Sequence, residues 1–328
     1  MIRKNNPIRW ITIIFILVVI LSIINLSIGA VLISPKDIIL SFLGNDIRGN
    51  SLILENYRIP RTILAILIGS SLAVSGTIFQ GILGNPLASP DVIGITKGSG
   101  LAAAIILVLF PKSSVMALPI AAFIGAALIA MLIYIFSFMQ GARPTVIALV
   151  GVALGAICNA AIQYLMVKNT MGINVALVWL SGSLWGRSMT EVYMLLPWTM
   201  ILLPVAFFSS NKLDILSFGD DIATSLGENV KVLRILLLVL AVALTGSSVA
   251  IAGTIGFVGL IAPHMARQIV GTKHKLLIPT SAILGAILIL ISDSIGKGLF
   301  IPIEIPTGIV TSIIGAPYFL YLLVKNKQ

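Results

Sequence analysis

Few residues in this chain could do chemistry. There are eleven acidic residues, two histidines (His264 and His274) and one cysteine, Cys158. No Gly-x-x-x-x-Gly-Lys-Ser/Thr loop is present to cradle a nucleotide, and no His-Glu-x-x-His pair to hold zinc. His264 follows Ala-Pro and reads as the cap of a short helix. His274 lies in a Gly-Thr-Lys-His-Lys turn and reads as a solvated loop residue. Cys158 stands in an apolar run with no second cysteine to join it, so it reads as a small buried residue. No catalytic group, no metal site and no cofactor of its own are expected.

What remains is charge in unusual places. Asp214, Asp220, Asp221 and Glu228 fall in one polar insertion, Ser209 to Arg234, beside Lys212, Lys231 and Arg234. Within it Leu213 and Leu216, then Ile222, Ala223 and Leu226, recur at spacings that place them on one face of two short helices. Gly219 and Gly227 are the expected stops, and Asp220 and Asp221 suit the positive end of the second helix. An acidic helix is repelled by anionic lipid, so a groove on another protein is the better partner for this face.

Arg58 and Arg61 bracket Ile59-Pro60 just before an apolar run. Such guanidinium groups either anchor a helix at an interface or pair in bidentate fashion with carboxylates of a partner. Asp293, Lys297 and Glu304 surround the loop before the last apolar run. For Asp293 the expectation is an interfacial cluster satisfied by snorkelling. For Glu304 it is acceptance of backbone N–H groups where the last helix begins. The run Gly84-Asn85-Pro86-Leu87-Ala88-Ser89-Pro90 reads as a tight loop that could constrict a pathway.

The elements that must position these groups are membrane helices. The chain has 328 residues, 58% of them hydrophobic and 10% charged, with a mean hydropathy of +1.12. A soluble domain carries about 25% charged residues. Runs of roughly 20 apolar residues cross a bilayer as helices, and backbone groups in lipid leave no other reading. The fold expected is an all-α polytopic membrane protein with ten spans, near 10–32, 61–82, 92–110, 115–138, 145–167, 191–208, 232–251, 258–270, 276–296 and 307–324. The eighth, short and flanked by Gly and Pro, reads as a half-helix, and 175–184 as a partial one. The chain start has the charge of a signal peptide but too long an apolar run, so it reads as an uncleaved first span.

Ten spans place both termini on one side. With the termini inside, the inner cations are Arg3, Lys4, Arg9, Arg143, Lys212, Lys231, Arg234, Arg267, Lys273, Lys275, Lys325 and Lys327. The outer ones are Lys36, Arg48, Arg58, Arg61, Lys112, Lys168, Arg187 and Lys297, with Lys97 at a boundary. The bias favours cytoplasmic termini and a cytoplasmic insertion, and it accounts for the net charge of +10 without nucleic acid. Gly76-Thr77-Ile78 precedes Pro86 and Ala88 much as Gly253-Thr254-Ile255 precedes Pro263 and Ala266, an echo that an inverted repeat would produce.

Several segments together resemble the FecCD-type permeases of bacterial ABC importers for iron–siderophores, haem and cobalamin. These are RIPRT at 58–62, SGTIFQGILGNPLASPDVIGI at 75–95, LVGVALGA at 149–156, WLSGSLWG at 179–186, GTIGFVGLIAPHMAR at 253–267 and IEIPTGIVTSIIGAPYFLYLL at 303–323. The resemblance implies one transmembrane permease domain over residues 1–328, working as a homodimer or a heterodimer with a paralogue, in the bacterial cell membrane. It implies that residues 209–234 are the element coupled to a cytoplasmic ABC ATPase dimer, which binds the ATP and Mg. Leu213, Leu216, Gly219, Asp221, Ala223, Leu226 and Gly227 are the implied coupling residues. Arg58 and Arg61 match arginines that dock an extracellular binding (lipo)protein, and Lys297 stands where the family has a third. Lysine keeps that charge but loses the bidentate fork. Asn85 and Leu87 match a cytoplasmic gate, and Thr145 a second gate whose neighbours Arg143-Pro144 depart from the pattern. Glu304, Pro306 and Gly308 carry structural roles at the last helix. The implied cargo is a ferric siderophore; haem or cobalamin is the alternative within the family, and an ion-coupled secondary transporter the alternative outside it.

Overall fold

The computed structural model describes residues 7–43, 50–138, 143–169 and 173–325. Among the described residues the chain is helical throughout, without strands. The helices are α1 (Pro7–Ser27), α2 (Pro35–Phe42), α3 (Asn50–Ile53), α4 (Ile59–Leu83), α5 (Ile95–Leu109), α6 (Ala117–Phe138), α7 (Pro144–Lys168), α8 (Ile173–Leu180), α9 (Met189–Phe208), α10 (Ser210–Leu216), α11 (Asp220–Ser225), α12 (Val230–Ala252), α13 (Val258–Val270), α14 (His274–Gly298) and α15 (Thr307–Lys325). Arg3, Lys4, Arg48 and Lys327, used above for orientation, lie outside the described residues.

The ten expected spans correspond to α1, α4, α5, α6, α7, α9, α12, α13, α14 and α15, and α8 is the expected partial helix. Among the described residues, seven helical stretches are long and apolar enough to cross a membrane alone. With 15 and 13 residues, α5 and α13 reach only about 20 Å against a hydrocarbon core of about 30 Å. Each begins inside the bundle. Side chains are distributed as lipid demands: Ile120, Ile124, Leu128 and Met131 of α6 and Leu149, Val152 and Ile157 of α7 are exposed, whereas Asn25, Arg61, Asp293 and Lys297 are buried. The protein is an integral membrane protein.

The centre of the bundle is α4, with 21 of its 25 residues buried. It can be central because Gly69, Ala73 and Gly76 form a stripe without bulk. A Cβ on Gly69 would run into the backbone of Gly285 and Ala286, and one on Gly76 into Gly259. Small residues let α4 lie directly against α14 and α13 where lipid supplies no hydrophobic drive. On the other side the Ser75 hydroxyl donates to the Ala241 carbonyl of α12 at 2.7 Å.

Several expectations need correction. The first span ends at Ser27 rather than near 32, because Ser34 starts a separate helix: its Oγ accepts the Asp37 N–H at 3.1 Å, with Pro35 in the first turn. The second span begins earlier than 61, since α3 continues through a π-turn (Leu54–Arg58) into α4. Pro60 follows the π-turn inside this continuous helical stretch (Asn50–Leu83), where it withholds one ladder N–H. His274 is not a solvated loop residue but the buried first residue of α14, and His264 lies inside α13 rather than capping it. Cys158 is buried, as expected. The two Gly-Thr-Ile copies occupy different settings: Gly76 lies within α4, whereas Gly253 ends α12 at φ +73° against the Trp179 carbonyl. Both glycines meet another stretch of backbone closely.

Candidate functional site

The charged groups gather at the two opposite ends of α4. Arg61 lies in the first turn of the helix and Gln80 in its last, 19 residues later and about 29 Å away along the axis.

At the arginine end the organising group is Asp293, fully buried. Its carboxylate accepts the Arg61 Nε–H at 2.9 Å, the Asn25 amide at 3.0 Å and the Thr307 hydroxyl at 3.2 Å, and Lys297 Nζ lies 3.5 Å away. Arg61 also donates to Glu304 Oε2 at 2.7 Å. Lys297 donates to the Asn25 carbonyl at 2.5 Å and to its Oδ1 at 3.0 Å. One network therefore ties α1, α4, α14 and the start of α15. Asp293 is thus not an interfacial residue that snorkels: the burial of two cations beside it requires a buried anion. Glu304 does not cap the last helix either. Its carboxylate is taken by Arg61, and the turn into α15 is closed by the Pro306 carbonyl, which accepts the Ile309 N–H at 3.0 Å. Gly308 packs where a Cβ would overlap the Ser181 carbonyl, and its N–H donates to Gly182 at 2.9 Å.

Arg58 is also buried, donating to the carbonyls of Leu26 at 2.6 Å, Ser27 at 3.0 Å and Val31. The three expected docking cations are thus held by their own chain. They share the lining of one cavity of about 410 Å³ with Glu304, Trp185 and Arg187.

At the opposite end α10 and α11 form the insertion. Leu213, Leu216 and Ala223 point into the bundle and share its core with Phe79, Ile82 and Leu237. Asp214 Oδ1 accepts the His274 backbone N–H at 3.0 Å and lies 2.6 Å from its Nδ1, which fastens α10 to α14. Arg234 grips Asp220 through two bonds of 2.8 and 2.6 Å, which fastens α11 to α12. Lys212 pairs with Glu228. Asp221 is exposed in the first turn of α11, as expected. Gly227, at φ +84°, ends that helix: its N–H bonds to Thr224 and that of Glu228 to Ala223, which satisfies two terminal carbonyls. Gly219, at φ +98°, turns the chain between the two helices.

The exposed apolar face of the insertion is Phe218, Ile222 and Leu226, which are 64%, 51% and 61% accessible. Beside it lies a cavity of about 470 Å³ lined by Gln80, Asn85, Asp214, Phe218, Arg267 and His274. Asn85 Oδ1 accepts the Leu87 N–H at 2.9 Å, so the narrow turn after α4 braces itself next to the insertion. Thr145 stands exposed in the first turn of α7 and does not line this cavity.

Sequence reasoning missed Asn25, Arg187 and Phe218. A lone amide in an apolar span signals Asn25. Phe218 is an aromatic residue stranded between two helix stops.

Comparison with known proteins places the chain in a family. The model of the FecCD transport family matches residues 16–325. The chain belongs to that family. It is 50% identical over 321 residues to the Fe(3+)-citrate import system permease protein YfmE of Bacillus subtilis (strain 168), covering 98% of this chain and 96% of that one. It is 42% identical over 275 residues to the Fe(3+) dicitrate transport system permease protein FecD of Escherichia coli (strain K12), covering 84% and 86%. Among solved structures, a metal-chelate type ABC transporter in an inward-facing conformation aligns with a TM-score of 0.86 at 29% identity, covering 97% of this chain and 99% of that one. As a FecCD member the chain is a membrane-spanning permease of an ABC importer.

Proposed function

We propose that this FecCD permease passes a ferric siderophore across the cell membrane, with both termini and the insertion in the cytoplasm. The energy comes from a separate ABC ATPase seated on α10 and α11, and the permease works as a dimer with itself or a paralogue. The observation that carries the reading is the insertion: three exposed apolar side chains on a hairpin clamped to α12 and α14 by Arg234–Asp220 and His274–Asp214. A rigid hairpin of this kind transmits displacement of its docking face to the membrane helices. The relatives' names supply the cargo class, since YfmE and FecD are iron–citrate permeases.

At the other end, a binding protein delivers the cargo. Carboxylates of such a partner would reach Arg58, Arg61 and Lys297 through the cavity they line, in competition with Asp293 and Glu304. Asn85 and Leu87 border the proposed gate at the cytoplasmic end, and Thr145 belongs to a second one. Purified permease mixed with its cognate ATPase tests the reading. Formation of a stable complex whose ATP hydrolysis rises with loaded binding protein supports it; a permease that leaves the ATPase free in solution contradicts it.

A further inference from the structure

The largest of the described cavities lies at neither end. It holds about 750 Å³ and is lined among others by Asp91, Lys97, Thr254, Phe257, Gly308 and Ser312. That volume suits a ligand of several hundred daltons. Its depth follows from two contacts. A Cβ on Gly259 would lie 3.2 Å from Pro90 and 3.4 Å from Gly76; Gly76 is seven residues, about 11 Å, inside the end of α4. Lys97 Cγ lies 4.0 Å from the Cβ position of Gly155, which is the twelfth of 25 residues in α7. The cavity therefore sits at mid-depth.

Three helices begin at it: α5 with Thr96 and Lys97 in its first turn, α13 with Gly256 and Phe257 just before its first residue, and α15 with Gly308 and Ile309 in its first turn. Helix N-termini carry partial positive charge, and half-helices that begin inside a membrane aim that charge at anionic groups of a transported molecule. Lys97 adds a full charge. It is exposed, and among the described residues no carboxylate pairs with it. A lysine at this depth without a partner is costly unless the space beside it is used. Asp91 also lines the cavity, but its carboxylate lies by the turn into α13, 3.5 Å from the Cβ position of Gly256, and makes no ion pair with Lys97. Phe257 borders the same space at φ +67°, and it is the one described non-glycine residue with positive φ, a strained backbone of the kind retained at working sites.

We propose that this cavity is a binding station for an anionic, carboxylate-bearing ferric chelate in transit, with Lys97 as its principal contact. The inference rests on the transport reading above. It adds selectivity inside the membrane, by charge, to whatever a binding protein selects.

Two measurements test it. In a Cys158→Ala background, Ser312→Cys places a thiol on the cavity wall. A sulfonate-bearing thiol reagent should react about tenfold faster than a trimethylammonium one, after correction for their rates with free thiol, and Lys97→Glu should reverse the order. A thiol closed to both reagents, or one that prefers the cation with Lys97 in place, overturns the proposal. In proteoliposomes with ATPase and binding protein, Lys97→Ala should lower ferric citrate uptake about tenfold, the scale of one charge-assisted hydrogen bond. Lys97→Arg should restore it, and uptake of a neutral ferric trihydroxamate should hold. Equal loss for both chelates, or none for citrate, contradicts the site. Failure of the unaltered protein to take up any chelate with ATP would instead contradict the transport reading, on which the thiol result does not depend.

Discussion

Leu216 and Ile222 are six residues apart on the same short hairpin, and both fit its apolar pattern, yet replacing each by aspartate should have opposite consequences. Leu216 is 5% exposed and packs in the bundle core. Leu216→Asp forfeits about 2–3 kcal/mol of apolar burial, and it places a carboxylate where desolvation costs several kcal/mol more. Against a total stability of about 5–15 kcal/mol, the variant should unfold in detergent well below the parent or fail to accumulate. Ile222 is half exposed, so Ile222→Asp should change folding by less than about 1 kcal/mol. If the hairpin seats the ATPase, the same change removes a buried anchor worth about 2 kcal/mol or more at the contact. That is a 30-fold loss of affinity on the scale of about 1.4 kcal/mol per tenfold. Thermal unfolding of each variant, paired with titration of the ATPase onto reconstituted permease, separates the two effects. A Leu216→Asp protein as stable as the parent would refute the packing assignment. An Ile222→Asp protein that binds the ATPase normally would refute the docking face.

Three further outcomes follow from the geometry. Asp293→Asn should destabilise the fold by about 3–5 kcal/mol, because Arg61 and Lys297 then share a buried site without their anion; a fluorescence-monitored melt checks it. Gly76→Leu should abolish the peak of folded protein in size-exclusion chromatography, since the side chain would occupy the Gly259 backbone, whereas Gly84→Leu, at an open position with φ +59°, should cost only about 1 kcal/mol of backbone strain. Glu228→Gln, which removes the partner of half-exposed Lys212, should move the unfolding midpoint by an amount equivalent to less than about 1 kcal/mol.

The spans were legible because lipid makes a crude demand: about 20 apolar residues in a row, whatever lies next to them. Even the shortness of α13 showed, through its Gly and Pro flanks. The start of α2 was also written in the chain, as Ser34-Pro35 with Asp37 three residues after the serine, a cap signal overlooked inside a long apolar stretch. Partners were harder to see. Arg61 and Asp293 are 232 residues apart, so nothing local distinguishes a buried counter-ion from an interfacial charge. His274 likewise meets Asp214 across 60 residues. In the insertion, spacing established that Leu213, Leu216, Ala223 and Leu226 belong to helix faces. It could not show that the first three meet the chain's own core while Leu226 remains free, because that depends on where the bundle ends.

The central claim is that this permease moves its cargo with energy taken from another protein. Its most direct test is accumulation of radiolabelled ferric chelate in sealed vesicles holding the permease, its ATPase and the loaded binding protein, with ATP supplied on the ATPase side. The account predicts accumulation that needs ATP and persists when proton and sodium gradients are collapsed. Uptake that continues without ATP or without the ATPase, and stops when an ion gradient is removed, would contradict it.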